Sequence, residues 1–248
     1  EAKVFPMGQK TAQGAVRIFA FPGYVCPHTG RLVRFRSDAV VPKDSPMDAA
    51  RFWRTYYSIS EDGGRTSTFD EILQQKGDAF SPEHPLPNVW HGKNGITQGA
   101  LSCAPMTLDK STFLLPLEGT MLDDDGNLYN PGGGYGWFAT TIVQGSWRAD
   151  GSIDWKQLSQ LQGNPQFTTR GFMEGTLGLL DGGRILLVLR ASNDADHALL
   201  GHKWYCISED GGHTWSNLQP WTFRDKSTFY SPSSCSQLVA YSNGALLW

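Results

Sequence analysis

The sequence predicts an all-β fold assembled from repeated antiparallel sheets, and three observations lead to it. The first is composition: 28 Gly and 14 Pro in 248 residues mean frequent turns, while 9 Trp, 8 Tyr and 13 Phe favour strands over helices. The second is an eight-residue segment that occurs twice. Ser60-Glu61-Asp62-Gly63-Gly64-Arg65-Thr66-Ser67 returns as Ser208-Glu209-Asp210-Gly211-Gly212-His213-Thr214-Trp215, identical at six of eight positions. The third is a turn followed by an apolar run, which recurs through the chain.

Each octad follows a strand-like run, residues 54–59 and 203–207. Asp-Gly-Gly supplies residues that tolerate positive φ, so each copy reads as a hairpin turn. The Asp carboxylate can accept backbone N–H groups across it, and Thr and Trp can fasten it to the sheet. The turn-plus-strand unit begins at Gly30, Lys110, Gly183 and Gly244, spaced 80, 73 and 61 residues apart. Insertions over 76–99 and 121–135 account for spacings longer than the roughly 40–45 residues of a WD40-type blade. Blades are expected to end near residues 67, 155 and 215, the middle one at Ile153-Asp154-Trp155, where only the Trp of the octad persists. One short helix is expected within 69–76.

Composition excludes several function classes. A net charge of −3, from 21 Lys plus Arg against 24 Asp plus Glu, leaves no basic footprint for nucleic acid and no polybasic membrane patch. No apolar run approaches the roughly 20 residues of a membrane span. The chain opens Glu1-Ala2-Lys3-Val4, with no signal-peptide pattern. Cys26, Cys103, Cys206 and Cys235 lie far apart, which argues against a zinc site and leaves room for at most two disulfides. Asp123-Asp124-Asp125-Gly126-Asn127 lacks calcium-loop spacing, and Pro131-Gly132-Gly133-Gly134 lacks the Lys-Ser/Thr of a phosphate loop; both read as turns. No cofactor or metal is expected.

The octad resembles the Asp-box of sialidases and related propellers, with Ser60, Asp62, Gly64 and Thr66 matching Ser208, Asp210, Gly212 and Thr214, and Trp215 completing the second copy. The resemblance implies a sialidase-type, six-bladed β-propeller as a single domain. This chain would cover about its first three and a third blades. Three and a third blades would leave a sheet face and an edge open to water. The remaining blades are therefore expected from C-terminal sequence, and the chain alone is expected to be inactive. Thr169-Arg170-Gly171, Arg190-Ala191-Ser192-Asn193 and Tyr230-Ser231-Pro232-Ser233-Ser234 also look like a sialidase-related group of bacterial proteins.

In sialidases the Asp-boxes lie on outer turns, so the resemblance implies that chemistry is to be sought at the central mouth. Residues 170–190 read as two antiparallel strands joined at Asp181-Gly182-Gly183, with Glu174 opening one and Arg190 ending the other. A carboxylate and a guanidinium so placed can pair, or can share an anionic substrate. The resemblance implies that Glu174 activates a tyrosine nucleophile and that Arg190 belongs to a triad holding a sugar carboxylate. Arg17 within Val16-Arg17-Ile18-Phe19 resembles the first triad arginine, with Arg36, expected to end the next strand, as its rival. Asp48, 12 residues before Ser60, stands where the family's general acid does, with Asp44 as the alternative. The third arginine and the tyrosine would lie beyond Trp248. Arg170, Asn193, His91, Asn94 and Glu118 could border the mouth.

The expected activity is a retaining exo-glycosidase acting on an acidic sugar. A tyrosine nucleophile suits that substrate, whose own carboxylate would repel a carboxylate nucleophile. Two alternatives stand: a non-catalytic propeller binding glycan or protein, and a glycosidase or lyase for another uronic or deoxy sugar.

Overall fold

The computed structural model describes residues 8–11, 14–41, 52–98, 104–134, 136–200 and 202–248, and of these the backbone alone at 8–11, 14–17, 41 and 52. The first sheet holds β1 (Gly8–Thr11), β2 (Gly14–Ala20), β3 (Tyr24–Val25), β4 (Leu32–Val41), β5 (Phe52–Ser60) and β6 (Phe69–Ile72). The second holds β7 (Ile96–Gln98), β8 (Met106–Thr107), β9 (Thr112–Thr120), β10 (Phe138–Trp147) and β11 (Ile153–Leu161). The third holds β12 (Met173–Leu179), β13 (Ile185–Arg190), β14 (Lys203–Ser208) and β15 (Gln219–Pro220). β16 (Val239–Ala240) and β17 (Leu246–Leu247) pair as a final hairpin. The strands named here pair antiparallel, in chain order in the third sheet (β12-β13-β14-β15), while in the first two β3 and β8 sit off the main path against β4 and β9.

The sheets stack because their central strands are apolar on both faces. Along β9, Phe113, Leu115 and Leu117 enter the core shared with the first sheet, around Val33, Phe35, Tyr57 and Trp155. Leu114, between them, points the other way into the core shared with the third sheet, around Leu177, Leu187 and Trp204. This is strand alternation serving two cores at once. Val143 and Ile142 divide β10 in the same manner. Pro116 falls in β9 between the stretches paired by β8 (113–114) and β7 (117–119), with Ile142 of β10 opposite it.

Both octads adopt one geometry. Ser60 Oγ donates to Asp62 Oδ1 (2.7 Å) and accepts from Gly64 N (2.8 Å), while Thr66 donates from N (2.9 Å) and Oγ1 (2.8 Å) to the same carboxylate. Ser208, Asp210, Gly212 and Thr214 repeat this at 2.8, 2.8, 2.8 and 2.6 Å. Gly64 and Gly212 sit at φ 93° and 96°, where a side chain would be strained. Trp215 Nε1 donates to Ser159 Oγ (3.0 Å) on β11, so the second turn is fastened to the preceding sheet.

One expectation is corrected, that of a helix within 69–76. A last strand follows or runs through each of the positions near 67, 155 and 215: β6, β11, which continues to Leu161, and β15. Residues 69–72 form a strand rather than part of a helix, because the turn delivers them against the open edge of β5, Phe69 opposite Ile59. Cys26, Cys206 and Cys235 are free thiols, so among the described residues no disulfide forms; Cys103 lies outside them.

The turns also carry acid sensitivity. Hydrogen bonds from Thr214, Ser208 and the His213 N–H hold Asp210 below its ordinary 3.8, at about 2, and Asp62 is lowered likewise by Thr66 and Ser60. A depressed carboxyl stabilises the fold above its unfolded pKa and loses that contribution as pH falls through its folded one. Asp210→Asn is expected to lower the melting temperature by a few degrees at pH 7. It should also make the fall in melting temperature between about pH 4 and 2 shallower, read by circular dichroism, with Asp62 and the likewise lowered Asp109, Asp150 and Asp225 supplying remaining slope.

Candidate active site

The entry to β12 is irregular. Met173 pairs with Arg190 and the register resumes at Thr176 opposite Val188, so Glu174 and Gly175 together face Leu189. Two residues against one is a β-bulge, which re-aims a side chain that regular alternation would commit to one face. Glu174 occupies the left-handed region at φ 50°, rare for a residue with a Cβ. Gly175 is fixed by space: a Cβ there would meet Leu187, Leu189 and Thr140 at 3.0–3.3 Å.

The re-aimed carboxylate meets Arg190, whose Nη1 donates to Glu174 Oε1 at 2.7 Å. The hairpin turn at Asp181–Gly183 brings the two to one end of adjacent strands, as expected from sequence. Their side chains are only 11% and 19% exposed, which strengthens a charge-assisted bond. Arg190 Nε also donates to Ser233 Oγ (3.1 Å), and Ser233 donates in turn to the Ala191 carbonyl (2.8 Å).

Two further charged groups complete the cluster. Glu118, near the end of β9, accepts the Glu174 backbone N–H at 3.1 Å through Oε2. Burial first, and the Glu174 carboxylate second, push its carboxyl up to about 7, against the pull of Arg170 and Arg190. Lys203 stands opposite Arg190 across β13 and β14 and is 1% exposed. Its Nζ donates to the carbonyls of Pro232 (3.1 Å) and Ser234. Burial and then the Arg190 charge lower its pKa. Sequence reading missed Lys203 and Ser233. Hairpin register from Arg190 points to the first, and Ser233 lies in the Tyr230–Ser234 stretch already noted.

Other candidates are placed elsewhere or held by other partners. Arg170 is buried, its guanidinium 5.3 Å from the Phe138 ring and Nε 3.8 Å from Asp194 Oδ2; its charge reaches Glu118. Asn193 braces its loop through the Leu199 carbonyl (3.1 Å). Asn94 spans Trp90, Asn88 and Thr120. His91 lies against Glu83 (3.3 Å), which Arg54 also approaches, in a pocket with Trp53 and Ile96. Arg36 does not end its strand, because β4 runs on to Val41. It meets Asp70 (3.0 Å) and Asp38 (3.9 Å) and covers the Tyr56 ring at 4.0 Å. Arg17 lies in β2 opposite Ala39, its side chain outside the described residues, as are Asp48 and Asp44 altogether.

No family model matches the chain, and no curated protein sequence matches it. Solved structures do. A Hadza microbial sialidase superposes with a TM-score of 0.55 at 14% identity, over 94% of this chain and 39% of its own. A glycoside hydrolase family 32 structure from Bifidobacterium adolescentis gives 0.50 at 12%, over 92% of this chain and 40% of its own. At such identities the likeness is one of fold: an all-β propeller of the kind glycoside hydrolases use. The chain spans about two fifths of the length of these structures.

Removing the Lys203 ammonium would take a charged donor from the Ser234 carbonyl and from the Pro232 carbonyl, which keeps the Ser234 N–H (2.8 Å), beneath the segment that holds Arg190. Lys203→Ala is expected to cost about 1–3 kcal/mol in chemical denaturation. Lys203→Arg, which keeps the charge but not the compact ammonium, should recover only part of it.

Proposed function

We propose that these sheets belong to a sialidase-type exo-glycoside hydrolase acting on an acidic sugar. The observation that carries the reading is the Glu174–Arg190 pair: a carboxylate and a guanidinium 2.7 Å apart, at one end of adjacent strands in a propeller fold. Glu174 would polarise a tyrosine hydroxyl supplied by a later blade, making a neutral nucleophile that an anionic sugar does not repel. A guanidinium carries five N–H donors, so Arg190 can hold Glu174 and Ser233 and still engage a substrate carboxylate. Arg17 and an arginine beyond Trp248 would complete that clamp. Asp48 would protonate the leaving oxygen. The two octads are read as Asp-boxes, with a structural role only.

A second reading is favoured by the fate of Arg36 and Arg170, which ion pairs hold within the fold. With fewer arginines directed at a ligand, the propeller would bind a glycan without cleaving it. A uronic or deoxy sugar as substrate remains within the first reading's chemistry.

The full-length protein, screened against sialosides and uronic-acid glycosides, is expected to cleave one of them. Glu174→Gln should lower that turnover by about 10²–10⁴-fold with the melting temperature little changed. Turnover equal to the native protein's would overturn the role of Glu174.

A further inference from the structure

We propose that Glu118 is the positioning residue for Glu174, fixing from the neighbouring sheet the backbone bulge that turns the Glu174 carboxylate toward Arg190. The proposal rests on the reading of Glu174 as the catalytic carboxylate.

The argument begins with the bulge. Where two residues oppose one, the extra residue leaves the hydrogen-bond ladder, and its N–H needs an acceptor from elsewhere. Here that acceptor is the Glu118 carboxylate, 56 residues away in sequence and one sheet away in space. The left-handed backbone at Glu174 is unfavourable for a residue with a Cβ and persists only where its surroundings over-determine it. Three constraints do so here. Gly175 has no room for a side chain, Arg190 holds the carboxylate, and Glu118 holds the amide. The Arg190 contact lies within one hairpin, and Gly175 is crowded both by that hairpin and by Thr140 of the second sheet. Glu118 ties the bulged amide itself to the second sheet, beside the Thr140 Oγ1 bond to the Phe172 carbonyl (3.0 Å) just before it, and so helps set where the hairpin's end stands relative to its neighbour.

The site's charges support the same role. Glu118 is faced by the Glu174 carboxylate and by the guanidinium groups of Arg170 and Arg190. Beyond these stand Asp194 on Arg170 and Lys203 beside Arg190. Burial and the Glu174 charge raise the Glu118 carboxyl to about 7. Its hold on the amide therefore changes through neutral pH, strongest when it is ionised.

That change provides a test independent of catalysis. In full-length protein labelled with ¹⁵N-glutamate, the Glu174 amide resonance, assigned by its loss in Glu174→Gln, is expected to move with a midpoint near 7. In Glu118→Gln, whose amide oxygen still accepts the N–H, that movement should vanish while the fold persists. On any glycoside the native protein cleaves, Glu118→Ala should lower kcat by about 10–100-fold with KM changed less than about threefold. Glu118→Gln should restore most of the loss. A Glu174 amide that does not respond to pH in the native protein overturns the proposal, as does native kcat in Glu118→Ala. Should the native protein cleave no glycoside, the functional reading fails, and the resonance measurement still decides whether Glu118 positions Glu174.

Discussion

A strand covered on both sides must satisfy two neighbours with one alternating series of side chains, and β9 meets that demand for the whole molecule. Its odd-numbered apolar residues, Phe113, Leu115 and Leu117, complete the core beneath the first sheet. Leu114 completes the core above the third. A slip of one residue would exchange the two sets and misfit both cores, so the register of the second sheet sets the packing of the sheets around it. The aromatic cluster about Trp155, with edge contacts from Tyr57 and Phe113 at 5.1 and 5.6 Å, gives the first of these cores its fixed geometry.

The charged cluster depends on this register in turn. Glu118 follows Leu117 on β9 and can reach the Glu174 amide only while β9 and β12 stay correctly offset. The apolar packing below thus sets the position of the polar contacts above. Arg190, Ser233 and Lys203 then join the entry of the final hairpin to the third sheet, through side-chain and carbonyl hydrogen bonds rather than strand pairing.

Local chemistry explains what could be read from sequence. The octad turns use their own side chains, so Asp62 and Asp210 announce their geometry in eight consecutive residues. The hairpin at Asp181–Gly183 is equally local, and it places Glu174 beside Arg190 by simple antiparallel counting. What escaped depends on distant partners. A bulge at Glu174 has no marker except Gly175, whose constraint comes from Leu187 and Leu189 across the sheet. Lys203 looks like an ordinary surface lysine until its burial is known. Residues 69–72 have a composition neutral between helix and strand, and the edge of β5 selects the strand. Arg36 was misplaced because nothing in its neighbourhood marks the end of β4.

The fastening of Trp215 to Ser159 gives the rim a direction. The third sheet's turn reaches back to β11, and Ser159 answers by donating to the Gly212 carbonyl at 2.6 Å. A segment leaving the ribosome later therefore finds its docking edge on one made earlier. Growth could proceed by successive addition, each new unit templated by its predecessor.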